Sequence, residues 1–198
     1  MGLIGEKNGK PVIPGVQVAD LGGGALMALS AITMALLHKE RTGKGQYIDV
    51  SMLDGAITWL YAAASDYFAS GTVPERGKNR LDGHFAFYNI YQTKDDKYLS
   101  VGAAEKKFWK EICELVGKPE WIELHEGPEE VQEQLKKEMT ELFKQEDQQY
   151  WMNLLQTKDT CVGPIYDIDQ LYADPQIIER EMLTTMQHPT AGTVQQIG

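Results

Sequence analysis

One junction constrains this chain more than any other: a carboxylate and a glycine triplet lead directly into a long apolar run. Asp20 stands two residues before three consecutive glycines at positions 22–24, and residues 25–37 are almost entirely apolar. Such a run predicts a helix, and its first N–H groups have no partner within the helix and favour negative charge. Glycine also permits close approach of a backbone or a ligand. The junction therefore predicts either a site or a tightly packed helix start.

The apolar run itself predicts a helix that is packed on most sides. Its alanines are small and its other faces carry leucine, methionine and isoleucine, a pattern typical of a buried helix. Lys39 and Arg41 place positive charge at the expected C-terminal end, and Gly43 suits the left-handed residue that closes a helix. Because the run is shorter than the roughly 20 residues that cross a bilayer, we expect no membrane association.

Composition and charge narrow the functional classes. The chain has 198 residues, 42% of them hydrophobic and 24% charged, which is ordinary for a globular protein. A net charge of −10 and the lack of any basic run oppose binding to nucleic acid. Cys113 and Cys161 are too few for a disulfide framework and lack zinc-site spacing. We therefore expect a cytoplasmic protein with no metal site and, from its N-terminal residues, no signal peptide.

The pattern of the first part of the chain predicts two helices and one strand. Residues 1–17 indicate an extended N-terminal loop, residues 46–50 alternate as a short strand, and residues 51–70 predict a second helix. Residues 71–80 are rich in glycine and charge, so we expect a linker there. The predicted domains are residues 1–75, residues 76–185 and a short C-terminal segment, 186–198.

The pattern beyond the linker predicts a small α+β unit. Residues 85–92 and 98–102 indicate two strands of a hairpin around the turn at 93–97. The further predicted elements are helices at 105–116, 129–144 and 147–156, a short strand at 161–165, a helical turn at 167–173 and a turn at 188–194 between two extended pieces.

Two carboxylates are candidates for chemistry. Asp20, beside backbone amides supplied by glycine, suits a general base or a nucleophile; the alternative is an N-cap that satisfies the first helical N–H groups. Gly22, Gly23 and Gly24 either leave room for a ligand or let a helix pack closely. Glu105 follows a predicted strand where a helix begins, so it serves a site or favours the helix N-terminus.

Two other motifs carry little functional weight. The glycines around Lys44 lack the order of a phosphate-binding loop, because Gly45 follows the lysine where that loop requires serine or threonine. Cys161 has no histidine near it in sequence, which argues against a nucleophilic thiol. We therefore exclude a nucleoside triphosphatase and do not assign a cysteine nucleophile.

Five ordered blocks together resemble the class III CoA-transferase (CaiB/BaiF) family, which also contains the α-methylacyl-CoA racemases. The blocks are residues 19–24, 41–55, 76–83, 98–105 and 161–164. The resemblance extends from about Pro14 to Thr193. It implies an α/β fold in which a part of the family's large domain, truncated here, is followed by a small α+β domain.

The resemblance also implies a chemistry. Asp20 matches the family's catalytic aspartate, which forms an acyl anhydride in the transferases and moves the α-proton in the racemases. Glu105 matches the racemase pattern, in which this glutamate supports a catalytic histidine, and the glycines at 22–24 match a binding segment. The implied substrates are a coenzyme A thioester and a carboxylic acid, with no tightly bound cofactor.

Full-length family members have a nucleotide-fold segment before the matched region and a return segment after it. The chain resembles the middle half of such a member, so we expect it to be inactive alone. CoA transfer is the leading expectation, with racemisation as the alternative. A third possibility is a split or truncated subunit that requires a partner. The resemblance further implies an interlocked homodimer.

Overall fold

The computed structural model describes residues 3–5 and 7–198, and the chain divides into two compact units, Met1–His84 and Phe85–Gly198. Three residues of the predicted N-terminal loop, Met1, Gly2 and Glu6, lie outside the described residues. Both helices and strands are present, as the sequence predicts.

Helices dominate the first unit. A π-helical segment, Val18–Ala25, continues directly into α1, Leu26–Thr42, and is followed by α2, Met52–Thr58, and α3, Tyr61–Ser70. The predicted C-terminal glycine closes α1: Gly43 has φ 72° and its N–H donates to the Lys39 carbonyl, as expected for a left-handed cap. The helix predicted from the apolar run is thus confirmed and longer than expected.

Two predictions for the first unit are wrong. Residues 46–50 form no strand, because the described part of this unit contains no other strand for them to pair with. The predicted helix over residues 51–70 is interrupted between α2 and α3 at Trp59 and Leu60. Its start is well defined, since the Ser51 hydroxyl accepts a hydrogen bond from the Asp54 N–H at 3.2 Å, a serine N-cap.

The predicted packing of α1 on most sides is also wrong for this chain by itself. No residue of α1 is buried, and the large side chains of Leu29 and Met34 are 62% and 64% exposed. Only four residues of this helix, Met27, Ala28, Ala31 and Ala35, are half-buried, so the described elements of the first unit leave most of its apolar surface uncovered. The sequence pattern identified a helix suited to a core, but that core is not formed by the described residues.

The helical run is longer than the apolar run that suggested it. The π-helical segment and α1 together form the run Val18–Thr42, which is 25 residues long and mostly apolar. By length and composition alone this run is long and apolar enough to cross a membrane, a criterion that core helices of soluble proteins and signal sequences also meet. The argument that the helix is too short to cross a bilayer, which was based on residues 25–37, therefore does not hold.

The second unit contains an antiparallel sheet of three strands. These are β1, Tyr88–Gln92, β2, Tyr98–Gly102, and β3, Val162–Ile165, in the order β1-β2-β3. Within the predicted hairpin, which the structure confirms, Tyr91 pairs with Leu99. The helical elements of the unit are α4, Lys106–Leu115, a 3-10 turn, Pro119–Leu124, α5, Glu129–Phe143, α6, Gln148–Leu155, α7, Ile168–Leu171, and α8, Pro175–Glu179.

A hydrophobic core lies between this sheet and α4 to α6. Trp109, Phe143 and Leu99 are completely buried, and the polar edges of two tryptophans are satisfied. The Trp109 indole N–H donates to the Trp121 carbonyl, and that of Trp151 donates to the Phe143 carbonyl, both at 2.9 Å. The large rings are therefore buried without leaving a donor unpaired.

A separate two-stranded ribbon ends the chain. The strands β4, Leu183–His188, and β5, Gly192–Ile197, pair antiparallel, with His188 opposite Gly192. Gly192 has φ 72°, a conformation that glycine adopts without a steric penalty. The turn predicted at 188–194 between two extended pieces is therefore confirmed.

Candidate active site

Asp20 lies in the first turn of the π-helical segment. The residue before this segment is Gln17, which makes no side-chain capping bond, so the N-cap alternative for Asp20 is not what the structure shows. The Asp20 side chain is exposed. Within the described part of the chain, no hydrogen bond or ion pair holds its carboxylate. The Asp20 carboxylate is therefore accessible to an incoming ligand.

The backbone that carries Asp20 has an unusual helical geometry. The Leu26 N–H donates to the carbonyl of Leu21, five residues earlier, whereas the Leu21 N–H donates to Gln17, four residues earlier, at 2.9 Å. This widening from α to π geometry places one extra residue in the turn. Short π-helical insertions of this kind occur frequently at functional sites.

Glycines fix the position of this segment against α2. A side-chain carbon on Gly23 would lie 2.6 Å from the Met52 carbonyl oxygen and 2.9 Å from the Ala56 nitrogen. A carbon on Gly55 would in turn overlap the Gly23 backbone. The two helices approach so closely only because neither glycine carries a side chain.

The same contacts limit how the glycine triplet could bind a ligand. The space above Gly22 is filled by the Trp59 ring, 2.5 Å from where a side-chain carbon would be, and the space above Gly24 contains the Met52 side chain at 3.0 Å. Gly22 and Gly23 are buried. Any contribution of these three glycines to binding would therefore come from their backbone groups, and the binding role stays a prediction.

Glu105 lies in the second unit, at the start of α4. Its backbone is extended, with φ −92° and ψ 135°, and its side chain makes no capping hydrogen bond. The Glu105 carbonyl accepts from the Phe108 N–H at 3.0 Å, so only the main chain of this residue serves the helix. Its carboxylate is exposed. Asp20 and Glu105 thus belong to different units of the chain.

Cys161 is placed unfavourably for a nucleophilic role. Partial burial raises the pKa of its thiol, and the charges of Asp159 and Glu105 raise it further. A raised pKa lowers the fraction of reactive thiolate. The raised pKa and the lack of a histidine near this cysteine in the sequence both argue against a nucleophilic thiol.

The end of the segment predicted as a linker, residues 71–80, belongs to an ordered turn that also includes Asp82. The Asp82 carboxylate accepts hydrogen bonds from the N–H groups of Gly77 and Asn79, at 3.0 and 2.8 Å, and from the Asn79 side chain. Gly77 has φ 68° and its missing side chain leaves room for Lys7. One of the five sequence blocks is therefore a turn organised by a carboxylate.

The sequence pattern did not single out two buried polar residues of the second unit. His125 and Gln132 are 6% and 0% exposed; His125 bonds to the Ala103 carbonyl, and Gln132 accepts from the Ala86 N–H. Their contacts join positions far apart in the chain, so no local periodicity indicates them. Among the described residues there is no group of three or more His, Cys, Asp or Glu side chains that could hold a metal ion.

Comparison with known proteins identifies relatives over the whole chain. The family model described as CoA-transferase family III matches residues 1–198. Human succinyl-CoA:glutarate CoA-transferase is 30% identical, over 98% of this chain and 45% of its own length. Human alpha-methylacyl-CoA racemase is 31% identical, over 85% of this chain and 44% of its own length.

Solved structures agree with this result. A CAIB/BAIF family protein from Brucella suis superposes with a TM-score of 0.74 at 26% identity, over 98% of this chain and 55% of that protein. The mixed α and β fold class expected from the resemblance is confirmed by this match. The chain spans about half the length of the curated relatives it matches.

Proposed function

The chain belongs to CoA-transferase family III, and we propose that it forms the part of an acyl-CoA-processing enzyme that carries the reactive carboxylate, Asp20. The observation that supports this function is the exposed Asp20 side chain, which has no described partner, on a π-helical segment fixed by glycine contacts. A carboxylate in this state can approach a thioester without first breaking a hydrogen bond or ion pair.

The proposed reaction transfers CoA between carboxylic acids. One Asp20 oxygen attacks the thioester carbonyl carbon, the carbon–sulfur bond breaks, and CoA leaves as the thiolate. An aspartyl–acyl anhydride remains on the enzyme. The CoA thiolate then attacks the Asp20 carbonyl carbon of this anhydride, which releases the donor acid as a carboxylate and leaves Asp20 as a CoA thioester. The acceptor carboxylate attacks that thioester and expels CoA, and the thiolate attacks the acceptor acyl carbon of the new anhydride, which gives the acceptor CoA thioester and frees the Asp20 carboxylate. Negative charge develops on the thioester oxygen during the attack, so nearby backbone N–H groups would stabilise the transition state. Coenzyme A acts here as a substrate, without a tightly bound cofactor.

A second candidate is α-proton transfer in a 2-methylacyl-CoA. The similarity to human alpha-methylacyl-CoA racemase, at 31% identity, favours it, as does the exposed Glu105 carboxylate at the strand-to-helix junction. In this reaction Asp20 acts as a base toward the α-carbon and Glu105 as a supporting carboxylate. Which atom of the substrate lies within reach of Asp20 decides between the two reactions.

A third candidate is a subunit that is inactive until a partner supplies the rest of the enzyme. Two observations favour it: the uncovered apolar faces of α1 and the match to only about half of each relative. We propose that the chain alone has no turnover and that activity requires the remaining segments of a family member. A homodimer of the enzyme completed by those segments is part of the same proposal.

The test uses this completed enzyme, meaning the 198 residues together with the segments that complete a full-length family member. Replacing Asp20 with Asn or Ala removes the proposed nucleophile, and we expect a loss of activity of about a thousandfold or more. Asp54→Asn is the matched control, because Asp54 is exposed in the first turn of α2, and we expect it to retain activity. Full turnover by Asp20→Asn would contradict the assignment.

Incorporation of deuterium distinguishes the two reactions. The completed enzyme is incubated with an acyl-CoA in deuterated water, with and without an acceptor carboxylate. Transfer of CoA without deuterium at the α-carbon supports the transferase. Uptake of α-deuterium without transfer supports the racemase, while inactivity of the 198-residue chain under both conditions supports its need for the other segments.

A further inference from the structure

His125 occupies the core of the second unit although it carries an ionisable ring. It is 6% exposed, and its ring lies against Phe87, with the ring centroids 4.2 Å apart. Trp109 lies on the same cluster, with its ring centroid 6.1 Å from that of His125. A buried polar ring of this kind requires a hydrogen-bonding partner.

That partner is in the segment that leads to Glu105. His125 Nε2 lies 3.1 Å from the Ala103 carbonyl oxygen, and because a carbonyl only accepts, Nε2 is the donor. Ala103 is completely buried, so loss of the imidazole would leave its carbonyl unpaired. On the other side, the Ala103 N–H donates to the Phe87 carbonyl at 2.8 Å. The peptide groups of Ala103 are therefore held from both sides.

Gln132 of α5 in turn holds His125. Its side-chain N–H group donates to the Leu124 carbonyl at 2.7 Å and to the His125 carbonyl at 3.4 Å. Its side-chain oxygen accepts from the Ala86 N–H at 3.1 Å, near the start of the second unit. One buried amide thus fixes the backbone of His125 while His125 fixes that of Ala103.

From this arrangement we propose that His125 is a positioning residue for Glu105. The imidazole fixes the Ala103 carbonyl, two residues before Glu105, and so sets the backbone from which the Glu105 carboxylate extends. Glu105 makes no capping bond of its own that could hold it in place. The inference rests on the second candidate function proposed above, α-proton transfer, in which Glu105 acts as a supporting carboxylate.

Two variants separate the hydrogen bond from the bulk of the ring. His125→Phe keeps an aromatic ring against Phe87 but removes the donor, whereas the amide nitrogen of His125→Gln occupies roughly the place of Nε2. We expect His125→Phe to lower the kcat of the completed enzyme by about ten- to a hundredfold with an almost unchanged KM. We expect His125→Gln to restore most of that loss.

A second readout does not depend on activity. In the 198-residue chain, His125→Phe should increase the amide hydrogen-exchange rates of residues 104–106 by about tenfold or more, because their backbone loses an anchor. The rates in the β4–β5 ribbon should not change, and His125→Gln should behave like the parent chain. Unchanged rates at residues 104–106, or equal increases throughout the second unit, would overturn the proposal.

The two readouts also keep this inference separate from the proposed function. If Asp20→Asn is inactive while His125→Phe retains the parental kcat, the function stands and the positioning role is overturned. If Asp20→Asn is fully active, the proposed function fails, and the inference that depends on it is rejected as well. Three results together support the role of His125: a lowered kcat for His125→Phe, faster amide hydrogen exchange confined to residues 104–106, and restoration of both by His125→Gln.

Discussion

The two units of this chain differ in what they bury. Every buried hydrophobic residue among those described belongs to the second unit, where Trp109, Phe143 and Leu99 form part of a continuous core. In the described part of the first unit only glycines are buried: Gly22, Gly23, Gly55 and Gly77. The second unit is held by apolar burial, whereas the first is ordered by close backbone contacts between short helices.

This difference shows that an apolar pattern predicts a helix but not whether that helix is buried. An apolar helix predicts a core, but the core forms only where other elements cover the helix. The α5 helix places Leu135 and Met139 into such a core, at 1% and 0% exposure. The α1 helix exposes its leucines, since the described residues of the first unit provide nothing to cover them. The contrast can be tested by substitutions in each unit.

The largest expected effect is in the core of the second unit. Phe143 is completely buried and its ring lies 5.3 Å from that of Tyr91 and 5.1 Å from that of Trp151. Phe143→Ala should lower the free energy of unfolding of this unit by about 3–5 kcal/mol, because it removes apolar contacts and leaves a cavity. Urea unfolding followed by tryptophan fluorescence measures this change.

The control for Phe143 is Phe68 in the first unit, which is 81% exposed. Phe68→Ala should change the free energy of unfolding by less than about 0.5 kcal/mol. A loss for Phe68→Ala as large as that for Phe143→Ala would show that the two units do not differ as described.

A smaller effect is expected at the glycine contact between the π-helical segment and α2. Gly55→Ala would place a methyl group against the Gly23 backbone, so the segment carrying Asp20 must shift. We expect the free energy of unfolding to fall by about 1–3 kcal/mol. Circular dichroism against temperature and hydrogen exchange in α2 measure this change. Gly45→Ala is the control, because no other group lies within 4 Å of its added carbon. Equal stability of the two variants would contradict a tight contact.

The third prediction concerns Asp95 in the second unit. Partial burial alone would raise the pKa of this carboxyl, but hydrogen bonds from the Thr93 hydroxyl and the Gln148 N–H bring it below its ordinary value of 3.8. Asp95 therefore stabilises the fold at neutral pH, and this contribution disappears as pH falls below about 4. Asp95→Asn should lower the free energy of unfolding by about 1 kcal/mol at pH 7 and by little at pH 2.

Asp147→Asn is the matched control for Asp95, because the Asp147 side chain makes no capping bond at the start of α6. Urea unfolding at several pH values compares the two variants. A loss of stability for Asp95→Asn that is independent of pH would assign the effect to something other than its charge.

The smallest effect is expected on the uncovered face of α1. Leu29 is 62% exposed, so Leu29→Ala should change the stability of the 198-residue chain by less than about 0.5 kcal/mol. In the completed enzyme we expect a loss of about 2 kcal/mol or more, because other segments would then cover this side chain. An equal, small effect in both proteins would mean that α1 stays exposed.

The sequence predicts the second unit well because its helices have one apolar face and the strands of its hairpin are close together in the chain. The helix expected at 129–144 is Glu129–Phe143 and the hairpin around residues 93–97 is present. The strand expected at 46–50 is absent, since alternation alone does not supply a partner strand. The interruption at Trp59 and Leu60 likewise has no glycine or proline to indicate it.

The candidate site was predicted only in part. Family resemblance, rather than spacing, selected Asp20 and Glu105. The π-helical geometry around Asp20 depends on one extra residue in a turn, which no composition or period shows. The contact of His125 with Ala103 joins residues 22 positions apart, and the packing of Gly23 against Gly55 depends on two separate helices. Such long-range contacts become visible only in the folded chain.

The most direct measurement of the proposed role of Asp20 is mass spectrometry of the completed enzyme after incubation with an acyl-CoA and hydroxylamine. If Asp20 forms an acyl anhydride, hydroxylamine attacks it and leaves a hydroxamate. We predict that the peptide containing Asp20 carries this modification and that Asp20→Asn abolishes it. CoA transfer with an unmodified Asp20, or a hydroxamate on a different carboxylate, would contradict the proposed mechanism.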